Sequence, residues 1–106
     1  MIDLKTLQAY FESDSVFVSD HAAKRFRERG LRIKDIRTAV QSGEIIEQYP
    51  DDYPYPSCLI LGASSSDEKI HVVMSDEGTS SRIITAYFPD KDKWSDDLRT
   101  RREISK

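Results

Sequence analysis

Long apolar runs are missing from this chain. No stretch approaches the roughly 20 residues needed to span a bilayer. The opening MIDLKTLQAYFESD lacks the basic-then-apolar pattern of a secretory leader. The expectation is a protein with no membrane partner, working in a cytoplasm of bacterial style. Cysteine is nearly absent too. A single Cys58 excludes an internal disulfide, which suits a reducing compartment. It stands in the apolar run CLIL, where a thiol is expected to be an inert core group rather than a nucleophile. Two histidines and one cysteine at no short ligand spacing argue against a metal site. No phosphate-binding loop, dinucleotide fingerprint or nucleophile elbow occurs, so no cofactor is expected.

What is there describes a folded domain. Hydrophobic residues make up 38% of the 106 and charged residues 33%, a globular composition that does not suggest disorder and fits one domain over 1–106. The net charge of −3 argues against a general nucleic-acid binder. The distribution of that charge is uneven. Lys24, Arg25, Arg27, Arg29, Arg32, Lys34 and Arg37 crowd one segment against only Glu28 and Asp35. The next segment holds Glu44, Glu47, Asp51 and Asp52 with no Lys or Arg. A local basic patch can hold a phosphate backbone even on an acidic chain, and such binding is salt-sensitive.

The stretch SDHAAKRFRERG, Ser19 to Gly30, concentrates the signal. Ser19 is a good N-cap and Gly30 a good C′ residue, so a short helix is expected between them. His21, Arg25 and Arg29 recur every fourth residue and stack along one side, while Ala22, Ala23 and Phe26 supply a packing face. A row of one imidazole and two guanidiniums suits a phosphate or carboxylate, which guanidinium forks bind in pairs of hydrogen bonds. It equally suits a solvated helix face.

Helices are expected to come first and strands second. Ile2, Leu7, Tyr10 and Phe11 mark an N-terminal helix, and Ile33, Ile36, Ala39 and Val40 mark another that Gly43 stops. Glu44 to Tyr49 reads as an edge strand entering the turn-rich PDDYPYP. Cys58 to Gly62, Lys69 to Ser75 and Ser81 to Phe88 read as further strands. Asp92 to Ile104 reads as a polar tail helix with Trp94 docked on the body. The expected class is α+β, with N-terminal helices packed on a three- to four-stranded antiparallel sheet.

Strand parity groups the remaining candidates. Ile70, Val72 and Met74 share one face, and His71, Val73 and Ser75 the other. Ile84, Ala86 and Phe88 are expected opposite Ile83, Thr85 and Tyr87. A symmetric hairpin pairs His71 with Thr85, and a two-residue slip pairs it with Tyr87. If the helix row packs near that face, His21, Arg25, Arg29, His71 and Tyr87 converge in one concavity. The expected core is Ile36, Val40, Leu59, Leu61, Val72 and Ile84, with Phe26 bridging helix and sheet.

An ordered set of residues carries a resemblance. It comprises His21, Arg25, Arg29 and Gly30; Gly43, Glu44, Ile46 and Tyr49; Tyr55, Pro56, Leu59 and Gly62; His71, Val72 and Val73; and Thr85, Ala86, Tyr87, Pro89 and Trp94. Over Val18 to Trp94 the chain resembles the bacterial family catalogued as domain of unknown function 4258, with the polar residues 95–106 outside it. It departs from the family at Leu31 and Arg32, where a small capping residue is usual. The resemblance implies kinship to small ribonuclease toxins of the RelE-like and BrnT-like type and their compact α+β architecture. It also implies a cognate antitoxin partner, often one with a zinc finger, and RNA or the ribosome as target.

Two functions follow as expectations. One is a metal-independent RNA endonuclease of a type II toxin–antitoxin pair. Its catalytic set would be His21 as base, Arg25 and Arg29 as phosphate clamps, and His71 or Tyr87 as acid. The alternative is a non-catalytic module that pairs with an antitoxin-like or regulatory protein. There the arginines meet acidic side chains and the Tyr49, Tyr53 and Tyr55 region adds contact.

Overall fold

The computed structural model describes residues 1–102; the last part of the expected tail helix, 103–106, lies outside the described residues. Three helices precede most of the sheet: α1 Leu4–Glu12, α2 Asp20–Glu28 and α3 Ile33–Ser42. A two-residue strand, β1 Val16–Phe17, lies between α1 and α2, where no strand was expected. Strands β2 Glu44–Tyr49, β3 Ser57–Ala63, β4 Lys69–Ser75 and β5 Ser81–Tyr87 follow α3. The sheet order is β1-β5-β4-β3-β2. The class is α+β as expected. The four later strands pair antiparallel, and β1 adds a fifth by pairing parallel with β5.

Local chemistry explains the helix boundaries. Ser19 Oγ accepts the Ala22 N–H at 3.1 Å and caps α2. At the other end the Leu31 N–H reaches the Phe26 carbonyl at 2.8 Å and the Gly30 N–H the Arg27 carbonyl at 3.1 Å. This is the Schellman arrangement, and Gly30 supplies the positive φ of 73° it requires. Helix α3 begins less conventionally, as the Leu31-Arg32 departure suggested. The Arg32 side chain cannot accept a hydrogen bond. Instead Asp35 reaches back to the Arg32 N–H at 3.1 Å and also accepts from the Ser65 hydroxyl. Those bonds, the Ser65 one foremost, hold the buried Asp35 carboxyl below the usual carboxylate range.

The helices lie against one face of the sheet only. Ile36, Ala39 and Val40 of α3, Leu7 of α1 and Ala22 and Phe26 of α2 pack with Cys58, Ile60, Ile70, Val72, Met74, Ile83 and Ala86. Gly62 lets α3 meet β3 directly, because a Cβ there would overlap the Ala39 carbonyl. Leu59 and Leu61 are buried as expected, but by alternation they belong to the opposite face.

Two expectations need correction. Ile84 is 46% exposed, whereas its neighbour Ile83 is 1% exposed. Val73 pairs with Thr85 and Met74 with Ile83, so Ile84 is the extra residue of a bulge and parity breaks there. The tail forms no helix from 92 to 102. Trp94 and Arg101 bridge antiparallel, and the Asp97 carboxylate accepts the Arg99 and Thr100 N–H groups in a tight turn. This short strap crosses the sheet face that the helices leave free, and Trp94 is buried there as anticipated.

The bulge yields a paired prediction. Ile83→Ala should cost about 2 to 5 kcal/mol of stability, as for other buried large-to-small changes. Ile84→Ala should stay within about 0.5 kcal/mol. Urea unfolding of dilute protein, with both variants side by side, measures the contrast, and equal costs would refute the bulge.

Candidate functional site: a basic helix row and a capped sheet face

The α2 row forms where it was expected. His21, Arg25 and Arg29 are exposed, one step around the helix from the buried Ala22 and Phe26. Arg29 is the C-cap residue, and the Schellman turn after it aims its side chain at the end of β5. Its Nη1 donates to the Ala86 carbonyl at 2.9 Å and to Thr85 Oγ1 at 3.2 Å. One guanidinium of the row is thereby anchored to the sheet, where it also blocks an otherwise open strand edge. No salt bridge joins Lys24, Arg25, Arg27, Lys34 or Arg37 to an acidic group among the described residues. The α2–α3 surface is therefore predominantly basic, with Asp20 and Glu28 exposed among the cations and Asp35 paired with Arg32.

His71 and Tyr87 do not join that row. They pair across β4 and β5, which fulfils the two-residue slip, but they point away from the helices. Val72 occupies the helix-facing side of β4, so its neighbour His71 must face the strap. The single concavity expected for His21, Arg25, Arg29, His71 and Tyr87 is thus not formed. The sheet separates His21 and Arg25 from His71 and Tyr87, while Arg29 reaches round the edge of β5 to Thr85, which shares the Tyr87 face.

The second constellation has its own order. His71 is 0% exposed. Its Nε2 lies 2.8 Å from the Leu98 carbonyl, which can only accept, so Nε2 carries the proton. Nδ1 is then free to accept from the Tyr87 hydroxyl at 3.4 Å. The Trp94 ring meets the imidazole edge-on with centroids 4.5 Å apart. Arg101 lies over Trp94 at 4.6 Å and forks onto Glu47, with both nitrogen–oxygen distances 3.1 Å. Tyr49 donates to the same Glu47 carboxylate at 2.5 Å. Arg99 pairs with Glu44 one step along the β2 edge.

Burial and charge set the proton affinities of this cluster. Burial pushes the Tyr49 phenol up to about 12, assisted by the Glu47 carboxylate beside it. Burial raises the Tyr87 phenol as well. Burial works to raise Glu47, but the Arg101 and Tyr49 hydrogen bonds together outweigh it, so the carboxyl lies below its ordinary range. Burial likewise disfavours the charged imidazole and lowers His71. A neutral, doubly engaged histidine under a strap is built to hold the strap, not to exchange protons with a substrate.

Sequence reasoning missed Glu47, Arg101 and the Leu98 carbonyl as partners of this cluster. A bulge between Ile45 and Glu47 hid the parity of β2, and the strap has no periodic pattern. No group of three or more His, Cys, Asp or Glu side chains arranged to hold a metal ion occurs among the described residues. No described helix is long and apolar enough to cross a membrane.

The lowered His71 carries a pH prediction. Above the free-imidazole value of about 6.5, His71 is neutral whether the strap is docked or not, and docking is insensitive to its titration. As pH falls below that value, the undocked imidazole takes up a proton that the docked one resists, so docking weakens. Glu47 adds its own loss only below the ordinary carboxylate range. Trp94 is the sole tryptophan and reports docking directly. Its emission should shift to the red as pH drops below about 6.5, and His71→Gln should remove that upper step. A flat profile down to about pH 5 would contradict the assignment.

Residues 18–88 match the family model described as Domain of unknown function (DUF4258). The matched span takes in α2, α3 and all four strands from β2 to β5, and it stops short of Trp94 and the strap. No curated protein and no solved structure matches the chain. The helix row and the sheet that flanks it are therefore the family's portion of the molecule, and the chain belongs to DUF4258, a domain of unknown function.

Proposed function

We propose that this chain is a non-catalytic, toxin-like binding module that captures an acidic protein partner through the exposed row of α2. The observation that carries this reading is that His21 and Arg25 stand on the helix layer, whereas His71 and Tyr87 belong to the opposite face of the sheet. An acid at His71 or Tyr87 would have to act from the sheet face opposite the layer that carries His21. His71 is further committed to the Leu98 carbonyl and Tyr87. What remains uncommitted on the surface is His21 and Arg25, beside Lys24 and Arg27, with Arg29 held in place by Thr85 and Ala86 at the end of the row. Guanidiniums so placed bind carboxylates with geometric preference. An antitoxin-like protein, including one of the zinc-finger kind that the family resemblance implies, fits as partner if it presents an acidic face.

The test uses a glutamate-rich peptide as probe and bulk RNA as competitor, with fluorescence anisotropy as readout. Arg25→Ala should weaken peptide binding about tenfold to a hundredfold, the worth of one charge-assisted hydrogen bond. Lys5→Ala, exposed on α1, should leave it unchanged. Binding should fall as salt is raised. Equal affinity of wild type and Arg25→Ala would sink the proposal.

One observation favours a second reading, metal-independent RNA cleavage of the toxin type. His21 and Arg25 are both exposed one turn apart, which is the minimal pairing of a base with a phosphate clamp. On that reading wild type cleaves RNA in EDTA to 2′,3′-cyclic phosphate ends. His21→Ala then loses about 10²- to 10⁴-fold in rate. Equal inactivity of the two proteins, together with peptide binding through Arg25, favours the binding module.

A further inference from the structure

The sheet face opposite the helices has two ends. One exposes Phe17, Tyr53, Tyr55 and Ile84. The other lies under the strap, so there the structure itself shows what the face holds. The strap is a hairpin built on itself. Its Ser95 N–H donates to the Thr100 carbonyl at 2.8 Å, its Arg102 N–H to the Lys93 carbonyl at 2.9 Å and its Trp94 N–H to the Asp90 carbonyl at 3.1 Å. Among the described residues, the Leu98 carbonyl on His71 is its one backbone hydrogen bond to the sheet. Side chains make the other attachments: Trp94 on His71, Arg101 on Glu47 and Arg99 on Glu44. Both arginines are more than half exposed, where an ion pair contributes little. Leu98 presents its carbonyl at a φ of 59°, a left-handed conformation that is strained for a bulky side chain. Open space flanks the hairpin tip. A cavity of ≈ 490 Å³ lies between Lys91, Asp96 and Leu98 of the strap and Glu68, Lys69 and Phe88 of the body, and another of ≈ 390 Å³ lies beside Arg99, Glu44 and Leu61.

A unit so attached can leave the sheet without breaking its own hydrogen bonds or any pairing between strands. The face beneath it is built by residues of the family span, whereas the cover comes from outside that span. The cover displays the recognition chemistry of the face. An indole packs edge-on against His71, a guanidinium forks onto Glu47 beside the Tyr49 hydroxyl, and a second guanidinium meets Glu44. Trp, Tyr and Arg are also the side chains that dominate the energetics of protein interfaces. We propose that the strap is an internal stand-in for a partner protein's segment carrying an aromatic residue and arginines, and that its release opens a second docking face. Glu44 and Glu47 set the sign, so this face takes a basic segment where α2 takes an acidic one. With the strap docked, such a segment binds with its intrinsic affinity reduced by the fraction of molecules that are open. The second face does not depend on the function proposed for α2, and either can fail without the other.

Fluorescence anisotropy with a labelled peptide of the strap's own sequence, KWSDDLRTRR, tests the proposal on the whole chain. Trp94→Ala frees the face and should bind the peptide about tenfold or more tighter than wild type. Arg101→Glu sets a carboxylate against Glu47 and should do the same, and Arg101 is too exposed for its loss to threaten the fold. Adding Glu47→Gln to Trp94→Ala should weaken the peptide about tenfold, as should alanine in place of Trp94 and Arg101 within the peptide. Lys5→Ala should bind as wild type does. Equal affinity of wild type, Trp94→Ala and Arg101→Glu overturns the proposal, and so does failure of all three to bind. Binding that ignores both Glu47→Gln and the alanine peptide overturns the recognition chemistry. If wild type sediments as a dimer and Trp94→Ala as a monomer, the strap of a second copy is the occupant and the foreign partner is overturned.

Discussion

Helix α3 touches strand β3 with no side chain between them at Gly62, and this contact decides which face of the sheet is the inside. The Ala39 carbonyl occupies the space a Cβ would need. Once α3 is seated there, Ile36, Ala39 and Val40 lie over Ile60 and Val72, and Phe26 of α2 closes the same layer. Every strand residue is then assigned to the helix layer or to the opposite face by alternation alone. The two bulges, in β2 and β5, are the places where the assignment changes phase.

That assignment divides the chemistry of the chain. The basic groups of α2 and α3 line the outside of the helix layer, held by ordinary caps and a Schellman turn. The second face carries His71, Tyr87, Glu47 and Tyr49, which carry potential acid–base groups but are closed over by the strap. Arg101 and Trp94 fill the role that solvent or a ligand would otherwise take, and the Leu98 carbonyl engages the imidazole. The result is two surfaces of different character. One is exposed, predominantly basic with Asp20 and Glu28 interspersed, and within the family span. The other is a charge-paired network around the buried His71, tied together by a tail outside that span. On the basic surface Lys24, Arg25, Arg27, Lys34 and Arg37 form no ion pair among the described residues, so their charges would have the most to gain from a partner.

The strap also explains why the open end of the sheet is conspicuous. A sheet with helices on one face must either be polar on the other face or be covered there. Trp94 covers one half. Beyond its reach the bulge at Ile84 turns an apolar side chain outward beside Phe17 and the two tyrosines of the Pro50–Pro56 loop. The same irregularity that spoils the sequence pattern thus builds the exposed patch.

Local determinants were legible in the amino-acid sequence by itself. Ser19 and Gly30 bound α2, the apolar spacing of Ile36, Ala39 and Val40 marks α3, and the apolar run at Cys58 marks a central strand. The α+β class and the basic row follow from these, because caps and hydrophobic periodicity act within a few residues. Where the row stands relative to His71 was not legible, since alternation tells which residues share a face but not which face the helices cover. The β5 bulge was equally hidden, because an extra residue in one strand is defined only against its partner. The strap was misread as a helix because its shape comes from long-range contacts of Trp94 and Arg101 and from the Asp97 turn. Tertiary packing alone decided that the histidine of β4 serves the fold while the histidine of α2 faces solvent. The physical reason is that burial and hydrogen-bond partners are properties of the assembled layers, not of any segment within them.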